Sequence, residues 1–185
     1  TLFAVEQEGV VPDILTVAKG ITGGYLPLAA TVTTEAVFES FLGPFEQQKT
    51  FFHGHTYAGN PLACAAATAS IRLMTERKVI EGLPAKVAAL SRALAPALGM
   101  AHVGDVRQRG LMVGIELVRD RATKAPYPRA ARLVERVVRI ARERGLLLYS
   151  GTGNANGVDG DVVLLGPPFV ITDAELVRIA DGLGE

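Results

Sequence analysis

The chain has 185 residues, of which 49% are hydrophobic, and its 19 basic residues balance its 19 acidic residues. This length and composition allow one ordinary domain or two small ones around a sizeable apolar core. The balanced charge argues against a nucleic-acid partner, and no stretch reaches the roughly 18 consecutive apolar residues that a membrane span requires. Because the chain starts without methionine and without a secretory signal, we expect a cytoplasmic protein whose sequence has been cut.

The first predicted strand, Ile14 to Ala18, leads directly into Lys19 and a glycine-rich loop, Gly20 to Tyr25. Open α/β sheets bind ligands beyond the carboxyl ends of their strands, so the Lys19 amine is a candidate reactive group. A lysine amine becomes a nucleophile only where burial or nearby charge lowers its pKa. Considered alone, a lysine at this place is more often an exposed residue at a strand end.

A second polar loop, His53 to Asn60, runs into a predicted helix that Asn60 caps. Gly54, Thr56 and the backbone amides before the cap form a cluster of hydrogen-bond donors that suits a phosphate. A reactive lysine and a phosphate site together indicate pyridoxal phosphate. The two histidines of the loop lack a third ligand at metal-site spacing, so no metal site is predicted.

The rest of the chain alternates short strands with helices. Further strands are predicted at Leu28–Thr33, Leu111–Val118, Leu146–Tyr149 and Val162–Leu165. Helices are predicted at Leu62–Glu76, at Lys78–Leu98 with a break or kink at Pro84, at Arg129–Arg144, and after a capping box at Thr172–Glu175. The residues from Gly151 to Asp161 are predicted to be a loop.

Two side-chain predictions concern these helices. Cys64, the only cysteine, lies in an alanine-rich stretch and is expected to be a buried, inert thiol. The helix from Arg129 to Arg144 carries six arginines and two glutamates, which invites a nucleic-acid interpretation. No aromatic residues interleave with the arginines, and the spacing of Glu135 and Arg139 favours an ion-paired, solvated face instead.

Three blocks of sequence resemble one family. They are Gly9 to Leu28, His53 to Ala63, and Gly110 to Leu117. In this order and spacing they are similar to the C-terminal portion of class III pyridoxal-phosphate-dependent aminotransferases of the omega-amino-acid type. The resemblance implies the type I pyridoxal-phosphate fold, an α/β fold, present in part.

The resemblance also implies a domain organisation. Residues 1–77 would be the end of the large cofactor-binding domain, residues 78–98 a connecting helix, and residues 99–185 the small C-terminal α+β domain. The ring-stacking residues, the aspartate at the pyridine nitrogen and a glycine-serine phosphate loop of the family precede the region matched by Thr1. The chain alone is therefore expected to be inactive, whereas the parent protein is expected to be an enzyme.

The residue matching Lys19 forms the internal aldimine with the cofactor and shuttles protons in that family. The residue matching Thr56 reaches the cofactor phosphate from the neighbouring subunit, which implies a homodimer with active sites across its interface. Gly54 and His55 are further candidates for cofactor binding. The implied reaction moves an amino group from an amine or omega-amino acid to a 2-oxo acid, because the family's carboxylate-binding arginine is lacking after Leu148, where Tyr149 and the long loop follow.

Two alternatives stay open. Aminomutases and decarboxylases of the same family share the lysine and the threonine. A non-catalytic phosphate-binding module would instead use the loop from Gly20 to Gly24 to hold a nucleotide. That loop matches neither the dinucleotide fingerprint nor the P-loop, because both need other glycine spacings.

Overall fold

The computed structural model describes residues 1–184, which form two compact units, residues 1–80 and residues 81–184. The α-helices are α1 (Glu35–Glu39), α2 (Pro61–Glu76), α3 (Val79–Leu94), α4 (Leu133–Glu143) and α5 (Asp173–Gly184). The strands are β1 (Ile14–Ala18), β2 (Ala29–Thr33), β3 (Val103–Arg109), β4 (Met112–Asp120), β5 (Ala125–Pro126), β6 (Tyr149–Gly151) and β7 (Asp161–Leu165). Within the described residues, no helix is both long and apolar enough to cross a membrane.

The first unit is built around a two-stranded antiparallel sheet. β1 pairs with β2 from Ile14 opposite Thr33 to Ala18 opposite Ala29. A 3₁₀ turn follows β1 directly and packs against α2. Most of this unit is exposed, and only Thr22, Ala63 and Ala67 are buried among residues 1–80.

The second unit has a well-formed core. Its strands are all antiparallel in the order β3-β4-β7-β6, and β5 pairs with the far end of β4. α4 packs against β6 and β7. The buried core residues come from α3, α5, the sheet and the segments beside them: Leu90, Leu94, Val103, Leu111, Val113, Ile115, Leu117, Val134, Val163, Leu165, Ile171 and Leu176.

One predicted strand needs correction, and two strands were not predicted. β1, β2, β4 and β7 lie where the sequence predicted strands, within a few residues, but the strand predicted at Leu146–Tyr149 is β6, Tyr149–Gly151. β3 was missed because its two valines are three residues apart and the other five residues are glycine, charged or polar, so it has neither alternation nor a run of β-branched or aromatic side chains. β5 is only two residues long and carries no periodic signal.

The helices also differ from their predictions in places. α3 is continuous through Pro84, so a break there is wrong; Leu83 and Val87 pack against the core on either side of it. The predicted helix at 129–144 starts with a 3₁₀ turn, and Arg132 adopts a left-handed conformation (φ 48°) before α4 begins. The capping box at Thr172 is confirmed, since its backbone N–H donates to the Glu175 carboxylate at 2.8 Å.

Candidate functional site

Lys19 lies where the sequence placed it, directly after the last residue of β1. Its backbone has φ of 54°, in the left-handed region that a residue with a Cβ seldom adopts. Its side chain is exposed and has no hydrogen-bond or ion-pair partner within residues 1–184. Non-glycine residues in this conformation cluster at functional sites, and the amine of Lys19 is available to a ligand.

A shallow open depression lies beside this lysine. It is lined by Ala18, Lys19, Gly24, Leu26, Pro27, Leu28 and Ala29. The two glycines that turn the chain here, Gly23 (φ 63°) and Gly24 (φ 82°), are both in the left-handed region, where glycine carries no Cβ penalty. The glycine-rich loop therefore curves back beside the lysine and leaves room for a small molecule.

Thr22 is a residue of this loop that the sequence analysis missed. Its side chain is only 2% exposed, and its hydroxyl donates to the carbonyl oxygen of Leu26 at 2.6 Å. The same hydroxyl lies 3.4 Å from the carbonyl oxygen of Lys19. The one signal in the sequence is a short polar residue between Ile21 and two glycines, which does not reveal burial.

The second predicted loop offers free hydrogen-bond donors. The backbone amides of Gly54, His55 and Thr56 and the hydroxyl of Thr56 have no hydrogen-bond partner within the described chain. All three residues are exposed. Amides and a hydroxyl without internal acceptors are the groups that bind phosphate oxygens, so this donor set fits the phosphate of pyridoxal phosphate.

A tight turn joins this loop to α2. The amide of Ala58 donates to the carbonyl of His55 at 2.9 Å, and the amide of Asn60 to that of Tyr57 at 3.2 Å. The Asn60 side chain then accepts from the first amides of α2 at 3.0 and 3.2 Å, as predicted for an N-cap. Those helical amides are therefore already bonded, and a phosphate would have to use the donors of the loop before the turn.

The side chains of this region add two observations. The rings of His53 and His55 meet edge to face with centroids 5.4 Å apart, and that of His53 is 5.5 Å from Phe51. Within residues 1–184 no three His, Cys, Asp or Glu side chains gather as a metal ion would need. Cys64 on α2 is exposed, so the prediction of a buried thiol is wrong; α2 turns that position away from the buried face formed by Ala63 and Ala67.

The structure groups Gly54, His55 and Thr56 in one loop and leaves Lys19 in another. No hydrogen bond joins the two loops within the described residues, and the depression beside Lys19 has no lining residue from the second loop. Each loop therefore presents its own set of ligand-binding groups, one an amine and the other phosphate donors.

The second unit contains the loop that follows β6. Residues 146–160 contain no lysine, arginine or histidine, so this segment presents no cation to a carboxylate. The loop is hydrogen-bonded to the 3₁₀ turn before α4, where the amide of Arg129 donates to the Asp159 carboxylate at 2.8 Å. Asp161, buried at the start of β7, accepts from the amide of Val134 at 3.2 Å, and this carboxylate stabilises the N-terminus of α4.

The arginine-rich segment around α4 pairs differently from its prediction. Glu135 was expected to pair with Arg139, but it pairs with Arg129 and, at 3.9 Å, with Arg132. The hydrogen bond from the Arg129 guanidinium holds the pKa of Glu135 below its ordinary value. Arg139 pairs instead with Glu143 at 2.7 Å. The reason is the late start of α4, which leaves Arg129 in the turn before the helix and within reach of Glu135.

Comparison with known proteins identifies one family. The model of the family described as aminotransferase class-III matches residues 1–185. Among curated proteins, adenosylmethionine-8-amino-7-oxononanoate aminotransferase of Nitratidesulfovibrio vulgaris is 51% identical over 176 residues. That alignment covers 95% of this chain and 31% of the relative, so the chain spans about a third of that protein's length.

Solved structures give the same result. The adenosylmethionine-8-amino-7-oxononanoate aminotransferase of Methanocaldococcus jannaschii superposes with a TM-score of 0.85 and 41% identity, covering 97% of this chain and 39% of that one. An (S)-enantioselective omega-transaminase of Thermomicrobium roseum superposes with a TM-score of 0.86 and 33% identity, covering 100% and 39%. The predicted fold, part of a pyridoxal-phosphate transaminase fold, is confirmed.

Proposed function

We propose, from the premise that this chain belongs to the class III aminotransferase family, that Lys19 is the residue that holds the family's cofactor, pyridoxal phosphate. The whole protein would then transfer an amino group from an amine or omega-amino acid to a 2-oxo acid. A cytoplasmic location goes with this proposal as a prediction.

The placement of Lys19 carries the proposal. It joins the end of β1 to a glycine-rich loop, its amine has no partner in the described residues, and its backbone is left-handed. An unpaired amine beside an open depression is available to an aldehyde, the group through which pyridoxal phosphate attaches to a protein.

The groups for the phosphate come from the second loop. We assign the hydroxyl of Thr56 and the backbone amides of Gly54 and His55 as its donors, in agreement with their lack of internal partners. When bound, the cofactor supplies an electron sink for the substrate carbon that bears the amino group. The amine of Lys19, free again once the substrate amine has replaced it at the aldehyde carbon, would be the base that takes the proton from the substrate carbon and later delivers it.

We also propose a homodimer in which the Thr56 loop of one subunit binds the phosphate of the cofactor that Lys19 of the other subunit holds. Support comes from the lack of any hydrogen bond between the two loops within residues 1–184. Aromatic side chains beside Thr56 are open to solvent, with Phe52 91% and Tyr57 82% exposed, as expected of a surface that a partner covers.

The proposed substrates follow from the loop after β6. The family resemblance implies that a carboxylate-binding arginine would follow Leu148, and residues 146–160 hold no basic side chain, so we propose a donor whose amine is not fixed through an adjacent carboxylate. The names of the curated relatives supply a second donor and acceptor to test, adenosylmethionine with 8-amino-7-oxononanoate. The 51% identity with one of these relatives makes this pair the specific alternative.

Amino transfer by the whole purified protein tests the proposal. Amines, omega-amino acids and adenosylmethionine are offered as donors against pyruvate, 2-oxoglutarate and 8-amino-7-oxononanoate. Lys19→Ala is expected to lower kcat by about 10³-fold, the usual contribution of a general base, whereas Lys49→Ala should leave kcat unchanged. Thr56→Val should weaken cofactor binding, whereas Thr56→Ser, which keeps the hydroxyl, should bind the cofactor as the unmodified protein does.

The same assay separates the alternatives. Release of carbon dioxide, or movement of the amino group within one molecule without any acceptor, would indicate a decarboxylase or an aminomutase. Turnover that survives Lys19→Ala would refute the assignment of Lys19. Nucleotide binding without any amino transfer would favour the non-catalytic phosphate-binding module.

A further inference from the structure

Thr22 occupies an unusual place in the first unit. It is the only polar side chain buried among residues 1–80, at 2% exposed. Its hydroxyl has a single hydrogen, and the 2.6 Å distance to the carbonyl oxygen of Leu26 shows where that hydrogen goes. The carbonyl oxygen of Lys19 lies 3.4 Å from the same hydroxyl oxygen, which makes it a neighbour of the hydroxyl and not the main acceptor of its hydrogen.

These two carbonyls mark the two ends of the glycine-rich loop. Between them the chain passes through Gly23 (φ 63°) and Gly24 (φ 82°), each free to adopt many other conformations. Lys19 itself has φ of 54°, which a lysine does not adopt without support from its surroundings. The hydrogen bond from the Thr22 hydroxyl to Leu26 therefore closes a loop that would otherwise be loose, and it fixes the turn that begins at the lysine.

The loop is supported from its other side by α2. The 3₁₀ turn of residues 19–22 packs against this helix. A Cβ on Gly23 would lie 3.6 Å from the hydroxyl oxygen of Ser70, so the backbone approaches α2 to van der Waals distance. Because α2 contacts one side of the loop and the buried Thr22 bonds across it, we expect the backbone at Lys19 to keep one conformation, which sets the direction of the side chain.

We infer that Thr22 is a positioning residue for Lys19, which directs the lysine amine into the depression beside the loop by fixing the backbone from Lys19 to Leu26. The inference rests on the proposed role of Lys19. Thr22 acts only through the backbone, since it is absent from the residues that line the depression.

Three variants of the whole protein test the inference. Thr22→Val keeps the shape of the side chain and removes the hydroxyl, and Thr22→Ser keeps the hydroxyl. Thr16→Val makes the same chemical change at an exposed position of β1, three residues before Lys19, and serves as the matched control.

Two readouts apply to each variant. The first is the rate at which a limiting acetylating reagent modifies Lys19 without cofactor, measured by peptide mass spectrometry across a pH series and divided by the rate at Lys49. The second is the fraction of added pyridoxal phosphate that borohydride fixes on Lys19 as a stable secondary amine.

Thr22→Val should change the Lys19 to Lys49 acetylation ratio by about fivefold, the population change that follows from losing one hydrogen bond, and should lower the fraction fixed by borohydride. Thr22→Ser should stay within about twofold of the original protein, and Thr16→Val should match it. An unchanged ratio in Thr22→Val, which includes equal fold-changes in the rates at Lys19 and Lys49, would overturn the inference.

The two readouts also separate this inference from the proposed function. If borohydride fixes the cofactor on another lysine of the unmodified protein, the proposed role of Lys19 fails. The cofactor-free acetylation ratio still decides whether Thr22 controls the presentation of Lys19.

Discussion

The two units of this chain differ in how they bury apolar side chains. The second unit surrounds its antiparallel sheet with a core of twelve buried residues. The first unit buries only Thr22, Ala63 and Ala67 and leaves large side chains such as Val11 (90%) and Phe45 (87%) exposed. We therefore expect the unit that carries Lys19 and Thr56 to need further packing for its stability, whereas the other unit has a core of its own.

This difference has a physical consequence for function. Exposed apolar surface of this extent marks places where a partner binds. We expect the loops of Lys19 and Thr56 to become more rigid when that surface is covered, which would couple assembly to the order of the proposed site. We therefore expect assembly and cofactor binding to stabilise the first unit far more than the second.

The largest expected effect is in hydrogen exchange of the 185-residue chain. Amides of the first 60 residues should exchange rapidly, whereas those of β4 and β7 should be protected by most of the unfolding free energy of their unit. Exchange followed by mass spectrometry measures both in one experiment. Uniform protection of the two units would contradict the comparison.

A core substitution sharpens the comparison within the second unit. Leu176 on α5 is 1% exposed, so Leu176→Ala should lower the free energy of unfolding by about 3 kcal/mol through lost burial and a cavity. Val177, its neighbour on the same helix, is 54% exposed, and Val177→Ala should change that free energy by less than about 0.5 kcal/mol. Urea unfolding of both variants gives the two values, and equal losses would refute the assigned core.

A smaller effect is expected at the N-cap of α2 in the first unit. Asn60→Ala removes the acceptor for the amides of Leu62 and Ala63 and should destabilise the helix by about 1 kcal/mol. Asn60→Asp keeps an acceptor and serves as the control. Circular dichroism during thermal unfolding of the assembled protein measures the change, and a loss of the same size in both variants would exclude a capping effect.

The smallest effect is the pH dependence of the cap of α5. Hydrogen bonds from the backbone and hydroxyl of Thr172 hold the pKa of Glu175 below its ordinary value of 4.5. Because the pKa of Glu175 is lower in the folded state, its carboxylate stabilises the second unit when the pH is above the ordinary pKa. This contribution disappears as the pH falls through the folded-state pKa. Glu175→Gln should therefore flatten the stability curve below about pH 4.5. Parallel acid curves for both proteins would contradict this.

The sequence predicted the parts of the fold that have strong local signals. Asn60 and Thr172 act as the predicted caps, and β1 ends directly before the predicted lysine, which opens the glycine-rich loop. It did not predict that Glu135 would pair with Arg129, because that pairing depends on a left-handed Arg132 at the start of α4. Tertiary packing, which no local pattern encodes, decided these cases.

The site was predicted in the same uneven way. Lys19 and the loop from Gly54 to Thr56 stood out by residue type and spacing, and their assignment as ligand-binding residues stays a prediction. Thr22 did not stand out, because its importance comes from burial and from a hydrogen bond to a carbonyl four residues away. Residues that act through the backbone are found only once the folded loop is known.

The most direct test of the assignment is a peptide map of the whole protein after incubation with pyridoxal phosphate and borohydride reduction. Five lysines, Lys19, Lys49, Lys78, Lys86 and Lys124, compete for the label in this chain. We expect the label on Lys19, and we expect Lys19→Ala to abolish both the label and the visible absorption of the bound cofactor. Label distributed over the other lysines, or absorption unchanged in Lys19→Ala, would contradict it.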